Sequence, residues 1–121
     1  PLTHDFAVIS LSDRLTPWEK IERRLDYAAQ ADLSIVIYNP RSHGRPDNLK
    51  KACDILLKTL PENRPCGVVR NIGREGQQKF LLTLKELRDF EADMFCTVFV
   101  GNAQTKIIGE NLVTPRGYRD V

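Results

Sequence analysis

With 121 residues the chain is long enough to bury one core and short of the size at which chains divide into several domains. Its 41% hydrophobic and 28% charged residues mark it as globular, no apolar run nears the roughly 20 residues of a membrane helix, and a net charge of +2, spread among interspersed Lys, Arg and acids, indicates neither a membrane nor a nucleic acid as partner. Cys53, Cys66 and Cys96 sit inside apolar patterns with no CxxC pair, so they read as reduced core thiols in a soluble, cytoplasmic protein, not as disulfides or metal ligands.

Pro1 opens the sequence without an initiator Met or a signal-peptide pattern, and the chain reads as cut from something longer. Residues 6–11 form a short apolar run that predicts a first strand. Thr16-Pro17-Trp18-Glu19 predicts a helix start, with Thr16 as cap, Pro17 at the first helical position and Glu19 reaching back to the Thr16 amide. Trp18, Ile21, Leu25 and Ala28 then follow at helical spacing, opposite Lys20, Glu22, Arg23, Arg24 and Asp26. No second aromatic accompanies Trp18, so it reads as a core anchor and not as a stacking platform.

Residues 33–38 predict a second strand whose nearly continuous hydrophobicity implies burial on both faces and a central position. The loop Asn39-Pro40-Arg41-Ser42-His43-Gly44-Arg45 leads to a second helix that opens near Pro46, carries Leu49, Ala52, Cys53, Leu56 and Leu60, and stops at Pro61. Arg41 and Arg45 suit bidentate binding of a carboxylate or phosphate, or form a solvated basic loop; spacing leaves both open. His43 has no acid or nucleophile paired with it locally and reads as a loop residue.

A third strand follows Pro65 and exits into Arg70-Asn71-Ile72-Gly73-Arg74-Glu75-Gly76, a loop matching neither a P-loop nor a dinucleotide fingerprint. Residues 77–84 alternate as a strand paired with the preceding one would, and 84–88 read as a short helical turn. Residues 95–100 form the last strong strand, and 106–113 suggest a hairpin around Gly109-Glu110-Asn111. Thr114-Pro115-Arg116-Gly117-Tyr118 is either a segment covering a pocket or a surface tail.

The fold class that follows is α/β, one domain over residues 1–121, with a mixed sheet of about five strands flanked by helices. If the strands lie in a largely parallel sheet, the exits at Tyr38-Asn39, Arg70-Asn71 and Gly101-Asn102 all emerge at one edge, where open α/β sheets bind ligands. That edge is the candidate site. Local spacing assembles no carboxylate pair, metal-ligand cluster or Ser/His/Asp constellation, so no catalytic residue and no metal site is assigned.

The ordered set Leu2-Thr3-His4-Asp5-Phe6, Ile9-Ser10-Leu11-Ser12-Asp13, Leu15-Thr16-Pro17-Trp18, Tyr38-Asn39-Pro40-Arg41-Ser42, Arg70 to Gly76, Thr97 to Thr105 and Thr114 to Tyr118 resembles the C-terminal half of the precorrin-3B C-17 methyltransferases, ring-contracting tetrapyrrole methylases of cobalamin biosynthesis. The resemblance implies a two-domain homodimer that binds S-adenosylmethionine between an N-terminal α/β domain, absent here, and a C-terminal domain of mixed sheet. It implies cofactor contacts, largely main-chain, at Tyr38, Asn39, Asn71, Ile72, Cys96 and Thr97. Arg41, Arg74 and Arg116 would face the carboxylates of a tetrapyrrole substrate, or are plain surface arginines. The half alone would be inactive, because the glycine-rich cofactor motif lies in the other domain. The alternatives are a non-catalytic binding or dimerisation module of the same fold, and an unrelated small nucleotide-binding protein.

Overall fold

In a strand the side chains alternate between faces, and this chain uses that alternation to build one apolar layer. The computed structural model describes residues 5–14, 16–40 and 47–115. Within them run β1 (Phe6–Ser10), α1 (Trp18–Gln30), β2 (Ser34–Tyr38), α2 (Asn48–Leu56), β3 (Pro65–Arg70), β4 (Gln78–Thr83), α3 (Leu84–Arg88), β5 (Cys96–Val100), β6 (Lys106–Ile108) and β7 (Asn111–Val113). The first five strands form one mixed sheet in the order β1-β2-β5-β3-β4, and β6 and β7 form a separate hairpin.

Register sets the core. Ile9, Ile37, Val98, Val68 and Phe80 lie abreast across the five strands, and Ala7, Ile35, Val100, Cys66 and Leu82 form a second row. Both rows join one cluster with Ile21, Leu25 and Ala28 of α1, Leu49, Ala52, Cys53 and Leu56 of α2, and Leu84 and Leu87 of α3. Burying each Val, Leu or Ile side chain stabilises the fold by about 1.5–3 kcal/mol. β2 is an interior strand as its hydrophobicity predicts, with four consecutive buried residues, but β5 takes the middle position.

The sheet is less parallel than expected. β1 and β2 are parallel, whereas β5 lies between β2 and β3 and is antiparallel to both, and β4 is antiparallel to β3. The cause is the connection before β5: after β4 reaches the far edge, α3 and residues 89–95 cross back along the sheet, so β5 starts where β2 and β3 end. We call that edge the rim.

Two helix boundaries depart from expectation. Pro17 is the N-cap of α1 and carries no side-chain cap; its carbonyl accepts from Lys20 N at 3.0 Å and Ile21 N at 3.3 Å. The helix therefore starts at Trp18, one residue late for a Thr16 capping box, and Trp18 Nε1 instead donates to Glu22 Oε1 at 2.8 Å while the ring packs on the core. α2 ends at Leu56 in a turn, so the buried Leu60 follows the helix instead of belonging to it. A capping box does occur at α3, where Thr83 Oγ1 accepts from Glu86 N and Glu86 Oε1 from Thr83 N. Arg88 of α3 donates to Asp54 of α2 and holds that carboxyl below its usual range.

All three cysteines are buried free thiols, and burial pushes Cys53 up to about 12 and raises Cys66 as well. No helix among the described residues is long and apolar enough to cross a membrane. A raised pKa leaves the neutral thiol dominant at ordinary pH. In the folded chain at pH 8, Cys53 and Cys66 should therefore react slowly with a thiolate-specific disulfide reagent, and both should become reactive on unfolding. Ile37→Ala, in the central row at 0% exposure, should cost about 2–5 kcal/mol in denaturant unfolding. Val8→Ala, 58% exposed on the other face, should cost under about 1 kcal/mol.

Candidate functional site

Two strands end at the rim on residues in a left-handed conformation: Asn39 after β2 with φ 52° and Asn71 after β3 with φ 56°. Asparagine tolerates this region better than branched residues, because its short amide can bond locally. At Asn39 the amide instead bonds across the sheet: Nδ2 donates to Ser10 Oγ at the end of β1 over 3.2 Å. At Asn71 the main-chain N–H donates to Phe95 O at 3.0 Å, which joins the β3 exit to the entry of β5. The sheet register places Tyr38 and Val69 on either side of Thr97, and Arg70 opposite Cys96.

A concavity of about 240 Å³ lies between these turns, and Tyr38, Asn39, Asn71, Ile72, Cys96 and Thr97 all line it. Arg74 lines it too, with its guanidinium 5.3 Å from the centre of the Phe95 ring, in cation–π contact. Arg41 and Arg116 lie outside the described residues, as do His43 and Arg45.

The sequence reading missed Met94 and Phe95, which complete the wall. They are 58% and 50% exposed, and Ile72 and Tyr38 are 51% and 44% exposed, so apolar surface rings the opening. Such rings mark surfaces that a ligand or another polypeptide covers. The signal was an apolar Met-Phe pair ahead of β5, but Phe95 was absorbed into the strand.

The wall is held from behind. Arg70 places its guanidinium 5.6 Å from the Phe80 ring and 5.9 Å from that of Phe90, donates to Glu91 O at 3.2 Å and pairs with Asp93 at 3.3 Å. Asp93 Oδ1 in turn accepts from Phe95 N at 2.9 Å. This chain of contacts fixes 93–96 against the β3 exit. No carboxylate or imidazole lines the concavity among the described residues, so it can bind and orient but offers neither of the usual proton-transfer groups.

The third expected exit belongs elsewhere. Because β5 runs antiparallel to β2 and β3, Gly101-Asn102-Ala103-Gln104-Thr105 leaves the opposite edge, and it is a structural knot there. Asn102 N donates to Thr105 Oγ1 at 2.9 Å, Gln104 N to Asn102 Oδ1 at 2.9 Å and Ala103 N to Asp32 Oδ1 at 2.8 Å. Arg64 Nη1 reaches both Gly101 O at 3.3 Å and Asp32 at 3.5 Å. The Thr105 and Thr114 hydroxyls lie 2.6 Å apart and anchor the far end of the β6–β7 hairpin.

Known proteins resemble this chain along nearly its whole length. Residues 1–88 match the family model of Tetrapyrrole (Corrin/Porphyrin) Methylases. The chain is 48% identical over 98% of its length to a probable cobalt-factor III C(17)-methyltransferase of Salmonella typhimurium, covering 49% of that protein. It is 41% identical over 98% of its length to a precorrin-3B C(17)-methyltransferase of a Sinorhizobium species, covering 48%. A crystal structure of the methyltransferase CobJ superposes on 95% of this chain and 48% of that one, with TM-score 0.86 and 37% identity. Uroporphyrin-III C-methyltransferase from Thermus thermophilus, complexed with S-adenosyl homocysteine, shares the fold at TM-score 0.65 and 16% identity over 83% of this chain and 42% of that one. The chain spans about half the length of each of these proteins.

A methyl group on Gly101 would lie 2.4 Å from Thr105 Cβ, so Gly101→Ala should destabilise the chain by about 1–3 kcal/mol in chemical denaturation and leave the rim unchanged. At Asn71 the left-handed backbone should make Asn71→Val cost about 1–2 kcal/mol, whereas Asn71→Gly should stay within about 1 kcal/mol of the parent.

Proposed function

This chain belongs to the tetrapyrrole methylase family, and on that premise we propose that it is the C-terminal, cofactor-capping half of an S-adenosylmethionine-dependent methyltransferase of cobalamin biosynthesis. The reaction would place a methyl group on C-17 of precorrin-3B or its cobalt counterpart, with ring contraction. The observation that carries the reading is the meeting of the β2 exit, the β3 exit and the β5 entry around one concavity.

The residues fit the adenosyl part of the cofactor. The volume of about 240 Å³ falls below the roughly 300–1,000 Å³ of pockets that enclose a whole drug-sized ligand, as half of a cleft should. Ile72, Met94 and Phe95 provide apolar faces for a planar base. Asn39 lies past the last ladder pair, where a main-chain group can read a base edge whatever the side chain. Its side chain is already engaged by Ser10, which supports a main-chain role.

When bound, the cofactor supplies an electrophilic sulfonium methyl that needs no further activation. The task left to Tyr38, Asn39, Asn71, Ile72, Cys96 and Thr97 is to bind and orient, and to exclude water once an N-terminal glycine-rich domain closes over the exposed apolar ring. Arg41 and Arg116, outside the described residues, and Arg74, where a substrate arm extends past Tyr38, would meet substrate carboxylates. The buried, reduced cysteines fit a cytoplasmic enzyme, and the assembly proposed is a homodimer of two-domain chains.

A chimera in which this chain replaces the matching half of the Salmonella typhimurium relative tests the reading. It should bind S-adenosylhomocysteine by calorimetry and methylate a tetrapyrrole acceptor with labelled S-adenosylmethionine, while the chain alone does neither. A folded chimera that binds no S-adenosylhomocysteine sinks the proposal, and one that binds it without methyl transfer favours a non-catalytic module of the same fold.

A further inference from the structure

On the other side of Tyr38 a second concavity, of about 570 Å³, opens along the same rim at the end of β1. Arg14, from the β1–α1 connection, and Arg24, from α1, both line it. Both are exposed, and neither has a carboxylate within ion-pair distance among the described residues, whereas Arg64, Arg70 and Arg88 each have one. Two exposed guanidiniums bordering one concavity give it a positive margin that favours an anionic occupant.

The groups around them also ask for an acceptor. Ser10 Oγ accepts from Asn39 Nδ2 and from Ser12 N, each at 3.2 Å, so its own proton is left to donate outward. Ser12 and Thr16 add hydroxyls to the lining. The remaining wall is apolar, with Val8 58% and Tyr38 44% exposed. Donors at the margin of an apolar floor, in a volume much larger than a single phosphate, match a broad apolar body that carries carboxylates at its edge.

We infer that this concavity seats the carboxylate-bearing periphery of the methyl acceptor, with Arg14 and Arg24 as its oxyanion anchors and Tyr38 as the partition between acceptor and adenosyl sites. The assignment of the adenosyl side rests on the function proposed above; the anion-binding chemistry of the Arg14 and Arg24 wall does not.

Fluorescence titration of the 121-residue chain with uroporphyrin, an octacarboxylate macrocycle, tests the site. Arg14→Gln and Arg24→Gln should each weaken binding about tenfold, and the double variant further. Arg23→Gln, on the same helix but outside the concavity, should not. Thermal unfolding should be unchanged in all of them, because these side chains are exposed. In the chimera, the Arg14→Gln/Arg24→Gln pair should leave S-adenosylhomocysteine affinity intact. No uroporphyrin binding by the parent, equal affinity in the double variant, or displacement by submillimolar inorganic phosphate overturns the inference. Arginine-dependent uroporphyrin binding alongside a chimera blind to S-adenosylhomocysteine would support this site and reject the methylase reading, so the two fail separately.

Discussion

Side by side across the sheet, Ile37 of β2, Val98 of β5 and Val68 of β3 are each fully buried, and the helices close over them. This row depends on β5 lying between two strands that both oppose it in direction. Shifting β5 by one residue would turn Thr97 and Phe99 into the helix layer and expose Val98, so the register is tightly specified. The same register sets Thr97 between Tyr38 and Val69 and Cys96 opposite Arg70. Core packing and site geometry are therefore one constraint: the hydrophobic row that stabilises the fold also fixes which side chains share the rim.

Around that frame the chain spends polar interactions at both edges to different ends. At the far edge Asp32, Arg64, Asn102, Thr105 and Thr114 bond to one another and leave little unsatisfied, as a structural turn should. At the rim the bonding is directed backwards, away from the concavity. Arg70 and Asp93 hold 93–96 from behind, and Ser10 holds Asn39. The front is left with apolar side chains, guanidiniums and main-chain groups. A surface so arranged is preorganised without being self-satisfied, which is the condition for binding something else.

The chemistry proposed asks little of acid–base groups. A sulfonium methyl is transferred by in-line displacement, where orientation and dryness contribute more than proton transfer. The apolar ring of Tyr38, Ile72, Met94 and Phe95 would then serve two purposes, contact with a bound base and contact with a covering domain. Under the two proposals, the concavities divided by Tyr38 would be a donor side and an acceptor side of the rim.

Much of this was legible from the sequence. Short apolar runs marked most of the strands and alternation marked 77–84, three-and-four spacing marked α1 and α2, and the turn at Gly109 and Glu110 marked the hairpin. The asparagine ends of the apolar runs marked the exits after Tyr38 and Arg70, which agree with the contacts the family resemblance implies at Tyr38, Asn39, Asn71 and Ile72. Cys96 and Thr97 came from family resemblance alone; residue patterns pointed instead to Gly101 to Thr105, at the wrong edge. The reason is physical. A strand's hydrophobic pattern has a period but no direction, and reads the same whichever way the chain runs through the sheet. Composition and patterning thus determined which segments are strands and which of their residues face the core. Only the tertiary structure decided that α3 and the residues after it cross back over the sheet, so that β5 meets the rim with its first residues and not its last.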